Sequence, residues 1–256
     1  MLLAIDIGNT QTAFGIFNRN RLLSTLRKPT FELRTDKAFL AALKSLSKKI
    51  NNPTCKISEA VIVSVVPRQT IRCRQILVKQ LKVKPLMISA ELDCGIIIRY
   101  DRPSLLGADR LCNAVAAYAK YGGPVIVVDF GTATKYEAIS SRGEYLGGAI
   151  SIGIGSAAEQ LHKRTAKLPE IRLRFPGSVI ASDTIGCMQS GILYGAVDAM
   201  EGIVRRFKLT IGKNARVIAT GGFASLIGSH SRIINHTEPD LVLEGARLIY
   251  ERQFRT

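Results

Sequence analysis

The stretch Leu2-Leu3-Ala4-Ile5-Asp6-Ile7-Gly8-Asn9-Thr10, followed by a second apolar run over 12–17, decides how the chain begins. Two short apolar runs around a Gly-Asn-Thr turn predict two strands joined as a hairpin. A second stretch, Val125-Ile126-Val127-Val128-Asp129-Phe130-Gly131-Thr132-Ala133-Thr134, repeats the order: apolar strand, Asp, Gly, Thr, then another strand over 135–139. One copy alone reads as an ordinary hairpin whose Asp caps the turn. Two copies, one opening each half, predict two related domains at 1–121 and 122–256. The divider is Gly122-Gly123-Pro124, which stops a helix that starts near Gly107 or Ala108 and stacks Leu111, Val115 and Tyr118 on one side.

Outward from the first hairpin, Phe39, Leu40, Leu43, Leu46 and Ile50 recur at helical spacing and predict a helix near 36–50. A buried strand follows over 60–66, then a helix near 68–82 and a short strand near 85–89. Beyond the second hairpin come a Gly-rich segment (147–155), a helix over 156–165 and a long helix over 184–207. A strand over 216–219 ends in Thr220-Gly221-Gly222, where a backbone can approach a ligand closely, and a last helix spans about 240–252. Strands first, then alternation with helices, predict an α/β chain.

The bulk composition fits that reading. Apolar residues make up 46% and charged residues 22% of 256, a globular balance with enough chain to bury a sizeable core. The opening apolar run has no basic lead and is broken by Asp6, which predicts neither a signal peptide nor a membrane span. Cys55, Cys73, Cys94, Cys112 and Cys187 are odd in number and lie far apart, so a disulfide framework is not expected; reduced thiols in a cytoplasm are. His162, His230 and His236 are equally scattered and give no metal-ligand spacing.

The formal net charge of +16 allows attraction of nucleic acid or of small anions such as ATP. It also suits a solvated surface, as with Lys44, Lys48 and Lys49 on the polar side of the helix near 36–50. No basic run is interleaved with aromatics and no helix-turn-helix stands out, so nucleic acid is not the expected partner.

The two turns carry the chemistry. A glycine turn offers backbone N–H groups to an anion, with Asn and Thr side chains as added donors. Asp6, at the end of a strand, is placed to hold Mg²⁺, which uses one or two carboxylates beside substrate phosphates. Gly107-Ala108-Asp109-Arg110 opens the helix before the second turn. Asp109 there suits a general base, because the helix N-terminus favours its ionised form, and Arg110 suits an anionic substrate. Asp109 as a simple helix-end charge, with Arg110 on the surface, fits the spacing equally well.

Two opposed Asp-Gly-Thr turns resemble the phosphate grip of the actin and hexokinase superfamily. That likeness implies two ribonuclease-H-like lobes, mixed β-sheets flanked by helices, with ATP in the cleft between lobes. Further stretches make the resemblance narrower. Ser64-Val65-Val66-Pro67, Tyr100-Asp101-x-Pro103, Tyr145-Leu146-Gly147-Gly148, Lys167-Leu168-Pro169, Met188-Gln189-Ser190-Gly191 and Leu243-Glu244-Gly245 join the motifs above, in order along nearly the whole chain. The sequence is similar to the type III pantothenate kinases, the first enzymes of coenzyme A synthesis in many bacteria.

This resemblance implies ATP-dependent phosphorylation of the primary hydroxyl of pantothenate, with Asp109 as base. It implies a pantothenate pocket of Tyr100, Gly107, Ala108, Asp109 and Arg110, completed by Thr184. ATP would be held by Asp6, Ile7, Gly8, Asn9, Thr10, Gln11, Thr12 and Ala13, and by Thr132. Mg²⁺ would sit at Asp6, and a monovalent cation, K⁺ or NH₄⁺, at Asp129. A homodimer in the cytoplasm, free of membrane, is implied as well. Within the same superfamily fold a phosphatase or another sugar or acid kinase is the near rival; a nucleic-acid-associated regulator is the distant one.

The chain also departs from the family pattern. The usual Gly-Thr-Ala-Thr-Thr, followed by an Asp two residues on, here has Lys135 and Glu137, and Ile152 replaces a usual Pro. Ala181-Ser182-Asp183 lacks the usual basic-Asn lead to Thr184. The Lys135 ammonium can lessen a need for K⁺; alternatively Lys135 and Glu137 form an exposed pair on one strand face.

Overall fold

The computed structural model describes residues 1–50 and 56–254, so the expectation for Cys55 lies outside the described residues. The chain divides into two compact units, Met1–Ala116 together with Leu241–Thr256, and Ala117–Asp240.

In the first unit, β1 (Leu2–Ile7), β2 (Gln11–Asn18), β3 (Arg21–Pro29), β4 (Glu59–Ser64) and β5 (Leu86–Met87) form one sheet in the order β3-β2-β1-β4-β5. β2 runs antiparallel to β1 and β3, whereas β4 runs parallel to β1 and β5 parallel to β4. Leu3, Ile5 and Ile7 of β1, with Phe14, Ile16 and Ile62, pack against Phe39, Leu43 and Leu46 of α1 (Asp36–Lys48). Thr35 caps that helix by accepting from the Ala38 N–H at 3.2 Å. α2 (Pro67–Ile76) opens on proline, whose missing N–H costs nothing at a first helical position.

β1 and β4 are apolar on both faces and need cover on both. α7 (Leu241–Phe254) supplies the second cover. Leu243 reaches β2, where a Cβ added to Gly15 would lie 3.1 Å from its Cδ1, and the Arg247 guanidinium sits 5.7 Å over the Phe17 ring. Gly245 lets α7 cross α3 (Ala108–Tyr121) closely: a Cβ there would fall 2.0 Å from the Cys112 carbonyl oxygen. The sequence places this last helix within 122–256, but the structure groups it with the first unit, because those strands leave it an apolar face to cover. The boundary between units also falls inside α3, at Ala116/Ala117, not at its end.

The second unit repeats the plan. β6 (Val125–Phe130), β7 (Ala133–Ile139), β8 (Glu144–Ile152), β9 (Arg216–Thr220) and β10 (His236–Thr237) follow the order β8-β7-β6-β9-β10 within the unit. Antiparallel pairs join β6 to β7 and β7 to β8, and parallel pairs join β6 to β9 and β9 to β10. Ile126, Val128 and Phe130 pack on Leu193, Val197, Met200 and Val204 of α5 (Thr184–Ile211). α4 (Ile154–Arg164) and the short α6 (Ala224–Gly228) complete the unit. The repeat read from the two Asp-Gly-Thr stretches is thus a repeat of topology.

Three of these strands escape the sequence reading, among them the two-residue β10. β3 is an edge strand with only Ser24 buried, so its apolar alternation is weak. β8 holds the Gly-rich segment, whose Gly147 and Gly148 pair with Ala138 and Glu137 of β7. Among the described residues no helix is long and apolar enough to cross a membrane.

Candidate active site

The first turn joins β1 to β2. The Gly8 N–H donates to the Gln11 carbonyl at 3.0 Å, and a Cβ on Gly8 would meet that oxygen at 2.9 Å, so glycine is what lets the turn close. Closing the turn uses the Gly8 amide. The exposed residues that present polar groups outward are therefore Asn9, Thr10 and Gln11. Ile7, Thr12 and Ala13 are buried and contribute framework. Asp6 ends β1 half-buried, opposite Ala13 in the strand register.

Thr30, just after β3, braces this turn from beneath and was not among the residues singled out from sequence. Its hydroxyl donates to the Gly8 carbonyl at 2.7 Å and lies 2.9 Å from the Thr12 hydroxyl, and its N–H bonds the Thr10 carbonyl at 2.9 Å. No local pattern marks such a residue; β3 brings it there.

The second turn is built alike from β6 and β7. The Gly131 N–H donates to the Ala133 carbonyl at 3.2 Å, Thr132 is exposed and Thr134 is buried. Its braces come from the start of α4: the Gly153 N–H and the Ser156 hydroxyl both donate to the Thr132 carbonyl, at 3.1 and 2.8 Å. Gly153 must be glycine, since a Cβ would lie 2.3 Å from both the Gly131 and Thr132 carbonyl oxygens. The Gly221 turn also packs here, at φ +90°, where a Cβ would lie 2.5 Å from Asp129 Oδ1.

Asp129 stands opposite Lys135 in the β6–β7 register, and Lys135 Nζ lies 2.7 Å from Asp129 Oδ2. Glu137 lies two residues further along the same strand. It is fully buried and accepts a hydrogen bond from the Tyr145 hydroxyl. The expected exposure of Lys135 and Glu137 is therefore not found: Glu137 is fully buried and the Lys135 side chain mostly so.

Of the residues expected at pantothenate, Tyr100, Gly107, Ala108, Asp109 and Arg110 lie in the first unit. Gly107 precedes α3 and its carbonyl accepts from the Leu111 N–H at 3.1 Å, while a Cβ at Gly107 would fall 2.6 Å from Asp109 Oδ1. Ala108 is buried, Asp109 is half-buried in the first helical turn, and Arg110 is buried with its guanidinium 5.7 Å over the Tyr100 ring. Arg110 is thus a fixed cation, not a solvated surface residue. Thr184 stands exposed as the first residue of α5 in the second unit, behind Asp183, whose carboxylate caps the helix by accepting from the Gly186 N–H at 2.9 Å.

Asp6, a single carboxylate beside an exposed turn, suits Mg²⁺, which takes most of its ligands from water and phosphate. Among the described residues no three His, Cys, Asp or Glu gather into a metal site. The monovalent cation implied at Asp129 does not fit, because an ammonium already holds that carboxylate. Burial pushes the Cys73 thiol up to about 12 and the Cys112 thiol well above its ordinary range, so neither is a nucleophile.

The pattern of the type III pantothenate kinases matches residues 2–206. A type III pantothenate kinase of Moorella thermoacetica is 44% identical over 252 residues, spanning 98% of this chain and 99% of that one. One from Dehalococcoides mccartyi is 39% identical over 250 residues, spanning 98% and 95%. Among solved structures, the ROK hexokinase of Thermus thermophilus superposes with a TM-score of 0.52 at 15% identity, covering 98% of each chain. That likeness concerns the fold alone and agrees with the actin/hexokinase-type architecture. With its motifs, its paired α/β units and two such relatives along nearly its whole length, the chain belongs to the type III pantothenate kinase family.

Proposed function

We propose the following division of labour among these residues. As a member of its family the chain transfers the γ-phosphoryl group of ATP to pantothenate, the first step of coenzyme A synthesis. Asn9, Thr10 and Gln11 on the first turn and Thr132 on the second bind phosphate oxygens, with Gly8 and Gly131 shaping the turns. Asp6 holds Mg²⁺, which when bound neutralises phosphate charge and orients the nucleotide. Arg110, held over Tyr100, pairs with the pantothenate carboxylate; Gly107 and Ala108 leave room beside it, and Thr184 adds a hydroxyl. Asp109, in the first turn of α3, accepts the proton of the attacking primary hydroxyl.

The observation that carries this reading is the adjacency of half-buried Asp109 and buried, Tyr100-stacked Arg110 on one helical turn: a base beside a fixed anion-binding group. ADP release should require pantothenate when ATP is offered with a panel of small hydroxy compounds. Equal release with pantothenate absent would remove the assignment.

A homodimer is part of the proposal. In the second unit Ile150, Ile152 and Ile185 are exposed, and a cavity of about 430 Å³ is lined by Ile152, Leu161, Met188, Gly191 and Gly195. A Cβ on Gly191 or Gly195 would meet nothing within 4 Å, leaving a shallow face open to close approach. A solution mass of one chain by light scattering would sink this part. A cytoplasmic setting suits the described cysteines, which are free thiols.

A further inference from the structure

We infer that the Lys135 ammonium is a built-in monovalent cation for Asp129, so that this chain works without K⁺ or NH₄⁺ at that position. The inference rests on the kinase reading for what the cation serves, but its structural basis is separate. Strand register places Lys135 directly across from Asp129, and Nζ sits 2.7 Å from Oδ2. The two side chains are only 17% and 11% exposed, so the pair is poorly screened by solvent.

Two features direct the lysine there, and a third sets this turn apart from the first. Glu137, its neighbour along the same strand face, is buried and bonded to Tyr145. The other carboxylate oxygen lies against two glycines, since a Cβ on Gly131 or Gly221 would fall 3.5 or 2.5 Å from Oδ1. The equivalent register position in the first turn is Ala13, which offers Asp6 no charge. A second unit cation at Asp129 would lie beside an ammonium in a site with little solvent, and like charges at that separation repel. The ammonium supplies the same +1 charge by covalent tether and pays no entropy of capture.

The test uses the full chain dialysed free of K⁺ and NH₄⁺, with ADP measured directly by chromatography and ionic strength held with NaCl or choline chloride. Wild-type turnover is expected to change by less than about twofold when KCl replaces NaCl. Lys135→Thr and Lys135→Met are each expected to lose about tenfold or more without K⁺; the Thr variant, which leaves room and a hydroxyl, regains it with KCl and the Met variant does not. Thermal midpoints give a second readout independent of catalysis. Wild type should melt alike in KCl and NaCl, and Lys135→Thr should be stabilised by KCl alone.

Activation of the wild type by KCl of about tenfold, or a K⁺-specific rise in its midpoint, overturns the inference. So does full K⁺-free turnover in Lys135→Met, or a Lys135→Thr chain indifferent to K⁺ in both measurements. If no salt gives pantothenate-dependent ADP release, the kinase reading fails, and the midpoints still decide the cation question.

Discussion

The two turns, Asp6–Ala13 and Asp129–Lys135, share one frame and differ in one partner. In each, a strand ends in Asp, a glycine N–H closes the turn on a following carbonyl, and a threonine opposite the next strand residue is buried, Thr12 across from Ile7 and Thr134 across from Phe130. Across from the Asp itself stands Ala13 in the first turn and Lys135 in the second. The same backbone therefore presents one carboxylate suited to a divalent ion and another already matched by an internal cation. Electrostatic role is set by the cross-strand neighbour, not by the motif.

In the proposed function both turns bind, and proton removal falls to a third element, the start of α3. Asp109→Asn should therefore show the largest effect, lowering kcat by about 10²–10⁴-fold with little change in the KM for ATP. The amide keeps the carboxylate's size but cannot take a proton at a useful rate. Retention of kcat within about tenfold would strip Asp109 of the role.

Next in size is a contrast of glycines. Gly153→Ala forces a methyl against two backbone oxygens at 2.3 Å, atoms that cannot swing aside, whereas Gly8→Ala meets one at 2.9 Å. Urea unfolding should give a loss of about 3 kcal/mol for the first and about 1 kcal/mol for the second. Equal losses would mean that the second turn is not the more tightly braced.

Much of this was legible in the sequence, and the exceptions have physical causes. The hairpins and helices announce themselves by periodicity, and the motif order names the family. Cross-strand pairing is another matter: Lys135 has Glu137 two residues away on the same face, and only register and the Tyr145 hydroxyl decide that Asp129 receives the lysine. Thr30 is invisible because its partners, Gly8 and Thr12, lie a strand away in sequence. The place of α7 is hinted at only by Gly245, a glycine inside a helix that marks a close backbone approach.

Exchanging the cross-strand partner tests the comparison directly. Ala13→Lys puts an ammonium at the register position facing Asp6, where it competes with a divalent ion. The Mg²⁺ concentration for half-maximal turnover should rise by about tenfold, while saturating Mg²⁺ recovers most of kcat. An unchanged Mg²⁺ requirement, in a variant whose circular dichroism and melting match the wild type, would show that Asp6 is not where the ion is held.

The smallest effects separate the two braces. Thr30 is buried, and Thr30→Val keeps its shape while leaving the Gly8 carbonyl without that donor and the Thr12 hydroxyl without that partner. The expected cost is about 1 kcal/mol of stability. Ser156 makes a single, solvent-exposed bond to the Thr132 carbonyl, which also accepts from Gly153, so Ser156→Ala should cost no more than about 0.5 kcal/mol. If the turns bind nucleotide by shape, Thr30→Val should raise the KM for ATP several-fold with kcat nearly unchanged, since a loosened turn weakens ground and transition states alike. A fall in kcat at constant KM would instead place Thr30 in the chemical step and make the first turn more than a cradle.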